Sequence, residues 1–143
     1  MMVTKNLENL QAKSDTGDRE TFLYDYPHRD REDIQEYLNR ITEIIELGAF
    51  DTAIASAIFT LETILPFMAE EENIEYETKS PSELLQVFDR KNLIDRETYN
   101  ILMQAIALRD AFMEKREIEG DRNFAEGVFA IVNNLFRGLK NNN

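Results

Sequence analysis

Arg109, Asp110 and Glu114 are the residues of this chain whose types and spacing suit chemistry. They stand in the run 101–114, where Leu102, Ala105, Ile106, Phe112 and Met113 recur at helical spacing, so that one face packs into a core. A charge beside a buried stripe is costly unless it is paired. Arg109 therefore sits at the rim, serves a site, or meets a carboxylate on another helix. Glu62, which lies among apolar residues earlier in the chain, is the candidate carboxylate. On a phosphodiester, the guanidinium would stabilise charge while Glu114 acted as base. On Glu62 it would be a strut that holds two helices in register. The sequence leaves both open.

Much other chemistry is excluded. The chain has no cysteine, which removes disulfides, thiolate catalysis and Cys-ligated zinc. His28 is its one histidine, so neither a Ser-His-Asp triad in the helical body nor a two-histidine metal site can form. There is no glycine-rich phosphate loop, and no Glu-x-x-His pair of the kind a dinuclear carboxylate bundle needs. The acidic run Glu70-Glu71-Glu72 lacks the glycine turn of a calcium loop. No metal and no cofactor are expected. The net charge of −12 repels nucleic acid and leaves either a solubilising surface or a protein partner with a basic surface. No secretory leader follows Met1 and no apolar run approaches the length of a membrane span, so no membrane association and a cytoplasmic location are expected.

With 143 residues, the chain suffices for one domain with a core. Residues 1–29 read as a partly disordered extension, with Lys13 to Asp18 as loop. Within it Phe22, Tyr24 and Tyr26 form an aromatic island that docks on the body or meets a partner. Asp30 is expected to cap a first helix over 31–47, with Ile34, Leu38, Ile41 and Ile45 as its stripe and Tyr37 and Ile44 beside it. Gly48 suits a left-handed C-cap. Asp51 opens a second helix at once, whose core face is Ala53, Ile54, Ala57, Ile58, Leu61, Ile64, Leu65 and Met68. Pro66 should kink it, and the acidic run should fray its end. Ser80-Pro81-Ser82-Glu83 is a capping box for a short third helix ending at Lys91-Asn92. Asp95 caps a fourth helix to about Arg116. Asp121 caps a fifth with Phe124, Val128, Ile131, Val132, Leu135, Phe136 and Leu139 on one face, and Gly127 marking close packing. Residues 30–140 thus form an all-α, up-and-down bundle of about four long helices plus a short one across one end, centred on the 101–114 stretch; 141–143 are a polar tail. Apolar arcs wider than one core needs point to a homodimer.

The order of these elements resembles the HEPN superfamily of small helical domains. The carriers are Gly48-x-x-Asp51-x-Ala53, then Ala57-x-x-x-Leu61-Glu62, Ser80-Pro81-x-x-Leu84-Leu85, Leu93-Ile94-Asp95 and Leu108-Arg109-Asp110. In HEPN ribonucleases the hallmark is Arg, a polar residue, three further residues, then His. Arg109 and Asp110 fit the first two positions, but Glu114 stands where the histidine belongs, and Pro66 stands where such relatives often carry Arg. The resemblance implies metal-independent RNA cleavage in the relatives and a dimer seam near this motif. Imidazole suits that reaction because its pKa lies near neutrality, whereas glutamate there sets an anion against a phosphodiester. The expectation leans away from an enzyme: a non-catalytic HEPN-like module working through protein–protein contacts, in a defence or toxin–antitoxin type system. The alternative is a metal-independent ribonuclease with an altered site, Arg109 with Glu114. A third reading is an acidic binder whose contact is the aromatic island.

Overall fold

The computed structural model describes residues 26–114 and 120–140, with side chains from Arg31 onward. Among the described residues the chain is an all-α bundle with no strand: α1 (Tyr26–Glu46), α2 (Phe50–Glu71), α3 (Pro81–Arg90), α4 (Arg96–Met113) and α5 (Arg122–Arg137). The chain divides into two compact units, residues 1–33 and 34–143. Of the first, only the opening of α1 is described; the packing below is that of the second. Phe22 and Tyr24 lie outside the described residues, as do the side chains of Tyr26 and His28.

The helix at the centre is α2, not α4. It buries Ala53, Ile54, Ala57, Ile58, Leu61, Ile64 and Leu65 as expected, and Thr60, Thr63, Phe67 and Ala69 besides, while Met68 is half-buried. A helix that is apolar nearly all round needs neighbours on most sides. α2 packs against α3, α4 and α5, and α1 joins it through Tyr37, whose ring centroid lies 5.8 Å from that of Phe59. The two buried threonines satisfy their hydroxyls within the helix, Thr60 donating to the Ser56 carbonyl at 2.8 Å and Thr63 to that of Phe59 at 3.3 Å. α4 contributes only Leu102, Ala105 and Ile106 to the buried core, Phe112 is half-buried, and Met113 is 66% exposed. The sequence reading of membrane spans also needs correction. α2, with 22 residues and a window of mean hydropathy 1.5, is long and apolar enough to cross a bilayer, although over half of that window is buried inside the bundle.

Helix ends are set locally. α1 starts at Tyr26, so Asp30 lies inside it and is not its cap. Pro27 falls in the first turn, where a missing N–H costs no hydrogen bond. Three helices in succession close with the same device. The residue after the cap turns left-handed (Gly48 at φ 82°, Asn73 at 57°, Asn92 at 58°), and the following N–H reaches back to the carbonyl five residues earlier. Those bonds are Ala49 to Ile44 at 3.2 Å, Ile74 to Ala69 at 2.9 Å and Leu93 to Phe88 at 2.8 Å. Instead of fraying, the acidic end of α2 is therefore closed, and Tyr76 Oη donates to Glu70 at 2.8 Å beside it. α2 also runs through Pro66 as one continuous helix. The expected capping box is present on α3: Glu83 N donates to Ser80 Oγ at 3.1 Å and Ser80 N to Glu83 Oε1 at 2.9 Å.

Asp51 takes a role that its position in the first turn of α2 did not suggest. Its Oδ1 accepts a hydrogen bond at 2.9 Å from the backbone N–H of Gly120, just before α5. A Cβ on Gly120 would lie 2.5 Å from Ile54 Cδ1 and 2.7 Å from that carboxylate oxygen. Gly127, expected to mark close packing, has nothing within 4 Å of a Cβ and is exposed. The buried line of α5 is Ala125, Val128, Val132 and Phe136, continued by Leu139, with Phe124, Ile131 and Leu135 at its edges. The two glycines should respond oppositely in urea denaturation. Gly127→Ala should raise stability by about 0.5–1 kcal/mol through helix propensity. Gly120→Ala should lower it by about 1–3 kcal/mol, because Ile54 is buried and cannot yield freely.

Candidate functional site

Arg109 occupies a core position of α4. Leu102, Ala105 and Ile106 are the buried residues that lead to it at i−7, i−4 and i−3. The helix that carries it is started by Asp95, whose Oδ1 accepts from Thr98 N at 2.8 Å. Glu62 holds the facing position on α2, between the buried residues Leu61 and Thr63. Arg109 Nη2 donates to Glu62 Oε2 at 2.8 Å, and Arg109 Nε donates to Asp110 Oδ1 at 2.9 Å. The Arg109 and Glu62 side chains retain 20% and 28% exposure, so the pair is sheltered without being sealed off. Asp110, at 54%, faces water. Glu114 is exposed at the C-cap of α4.

Burial disfavours the charge on Arg109, but the hydrogen bonds it donates to Glu62 and Asp110 outweigh it, so the guanidinium is held above its ordinary range. Arg109 is thus a fixed cation whose partners are already in place. Arg109 stands here with two carboxylates, those of Glu62 and Asp110. Such a cluster is a strut between α2 and α4 and a poor cradle for an anion. Among the described residues no group of three or more His, Cys, Asp or Glu could hold a metal ion.

Comparison with family models, with curated proteins and with solved structures finds no match to this chain.

Sequence reasoning passed over two features. One is the Asp51–Gly120 hydrogen bond, for which the sole signal was an acid in a first turn followed much later by a glycine before a cap. The other is Phe59, an aromatic residue 54% exposed on the central α2, which lines a groove beside α1. Its signal was an aromatic among Thr52, Ala55 and Ser56 on the small and polar side of that helix.

Two measurements probe this architecture. In a double-mutant cycle, Arg109→Ala should destabilise the fold more than Glu62→Ala, because Arg109 retains Asp110 whereas Glu62 would be left as an unpaired, sheltered anion. The coupling energy should be about 1–2 kcal/mol, between exposed and buried pairs. The second concerns Asp95, which the Thr98 backbone N–H and then its hydroxyl hold below the usual carboxylate range. A depressed folded-state pKa means that its contribution is complete above the ordinary aspartate value of about 3.9 and lost as pH falls through the folded value. Urea midpoints should therefore drop less steeply on acidification in Asp95→Asn than in the parent chain.

Proposed function

We propose that this chain is a non-catalytic, HEPN-like helical module that acts through protein–protein contacts, as a homodimer, in a defence or toxin–antitoxin type system. The observation that carries this reading is the engagement of Arg109. An arginine that stabilises a phosphodiester must present free donors to it. Here Nη2 and Nε are engaged by Glu62 and Asp110. A phosphate approaching the remaining N–H groups would meet the Glu62 and Asp110 carboxylates already held against the guanidinium, and like charges repel. At the histidine position of the resembling ribonucleases stands Glu114, an anion where imidazole would take up and return a proton near neutral pH. The overall charge of −12 opposes the approach of RNA from a distance.

The purified protein, incubated in EDTA with labelled single-stranded RNA, should leave it intact, and Arg109→Ala should behave identically. Cleavage that disappears in Arg109→Ala would replace this reading with the altered ribonuclease, Arg109 on phosphate and Glu114 as base. Light scattering at high micromolar concentration should return twice the chain mass of 16.7 kDa. A monomer there would remove the dimer and its seam near Arg109 from the proposal.

A further inference from the structure

A groove of about 350 Å³ lies between α1 and α2, with Tyr37, Arg40 and Ile44 on one side and Thr52, Ser56 and Phe59 on the other. We propose that it binds a small amphipathic carboxylate, a free medium-chain fatty acid, whose head meets Arg40 and whose chain lies along Ile44 and Phe59. This is a ligand-binding function, separate from the protein contacts proposed above.

Size and lining argue for a small molecule. Tyr37 to Ile44 on α1 and Thr52 to Phe59 on α2 each cover two turns, about 10 Å of helix. That length suits one alkyl chain and is short for a stable protein interface, which covers about 800 Å² on each partner. Apolar walls with a few polar groups are the usual lining of small-molecule sites of this size. Ala55, one turn before Phe59, is small and leaves room beside the Phe59 ring. That ring is 54% exposed and lies 5.8 Å from the ring of Tyr37, at a tilt of 60°. The Thr60 hydroxyl is already engaged by the Ser56 carbonyl at 2.8 Å, so it asks nothing of a ligand.

Charge selects the head group. Arg40 is the one charged side chain that lines the groove. It stands 3.8 Å from Glu36, too long for a hydrogen bond, and the two side chains are 66% and 67% exposed. An exposed pair one turn apart holds weakly, so Arg40 can turn its fork of N–H donors to a ligand carboxylate. Arg109 differs, with Nη2 and Nε on carboxylates at 2.8 and 2.9 Å. An ammonium-headed chain would set its charge against Arg40. Glu36 and Glu43, one turn to either side of Arg40 on α1, are exposed. A polyanion or an acidic membrane laid along α1 would meet both, whereas a single carboxylate needs only Arg40. The net charge of −12 is screened beyond about 8 Å at physiological salt, and it opposes a polyanion far more than one charge.

The probe is sodium decanoate below its micelle-forming concentration, titrated into the isotope-labelled full chain and followed by amide NMR. We expect saturable binding, with shifts confined to the residues from Tyr37 to Ile44 and from Thr52 to Thr60. Affinity should fall about tenfold in Arg40→Gln, and about tenfold in Ala55→Trp, which fills the groove. The uncharged 1-decanol should bind about tenfold more weakly than decanoate, and Gly127→Ala should bind decanoate as the parent does. Circular dichroism confirms that each variant is folded. Absence of saturable shifts, or shifts at another site such as the cleft between Met68 and Leu139, overturns the proposal. So does equal binding by Arg40→Gln or by Ala55→Trp. A dimer that Ala55→Trp converts to monomer would make a second copy the occupant and reject the fatty acid. Sedimentation of the chain with phosphatidylglycerol vesicles, lost in Arg40→Gln, would reject it in favour of a bilayer surface. The RNA and light-scattering assays above test the protein-contact reading separately.

Discussion

The burial of α2 is the constraint on which the rest of the structure depends. Its apolar residues are spread round most of the helix, so no single partner could cover them. Four helices therefore gather about it, and each presents a narrower stripe: Ile34, Leu38, Ile41 and Ile45 on α1, Leu84, Leu85 and Phe88 on α3, Leu102, Ala105 and Ile106 on α4, Val128, Val132 and Phe136 on α5. Their order is kept by sharp ends. Left-handed residues at Gly48, Asn73 and Asn92 turn the chain within a residue or two of each helix, and Ile74, Leu93 and Leu139 keep packing on the core beyond the helices themselves.

Placed at two core positions, the Arg109–Glu62 pair shows how this arrangement limits chemistry. A cation and an anion that replace a methyl-to-methyl contact must satisfy each other, and the 2.8 Å contact does so. Satisfied in this way, the arginine is structural in energy whatever its motif suggests. Freedom to bind an anion and service as a strut compete, because the carboxylates that Arg109 holds repel a second anion. The net charge of −12 acts in the same direction, disfavouring the approach of a further anion. Elsewhere on α2, Phe59 is 54% exposed beside Thr52, Ala55 and Ser56.

How legible this protein was depended on the range of the forces involved. The Ser80–Glu83 box, the caps at Asp95 and Asp121 and the turn at Gly48 act over a few residues and could be read from their spacing. The stripe of α1 was equally plain, since helical periodicity alone puts Ile34, Leu38, Ile41 and Ile45 on one side. Glu62 could be named as a partner for Arg109 because a lone acid in an apolar run and a lone base in another each need compensation. The pairing distance could not. Errors arose where neighbours decide. Met113 has the spacing of a core residue, but α4 runs past the edge of the core and leaves it exposed. Gly127 looked like a contact point, but no helix approaches it.

By itself, the amino-acid sequence determined the helices, most of their ends, the all-α class, and the absence of thiol and two-histidine chemistry, because propensity, capping and composition are properties of short segments. Only the tertiary structure decided that α2 is the centre, that Asp51 holds Gly120, that Arg109 is already engaged by Glu62 and Asp110, and that Phe59 faces open space. Each of these depends on which helix lies against which, and that is settled by the burial of all the stripes together.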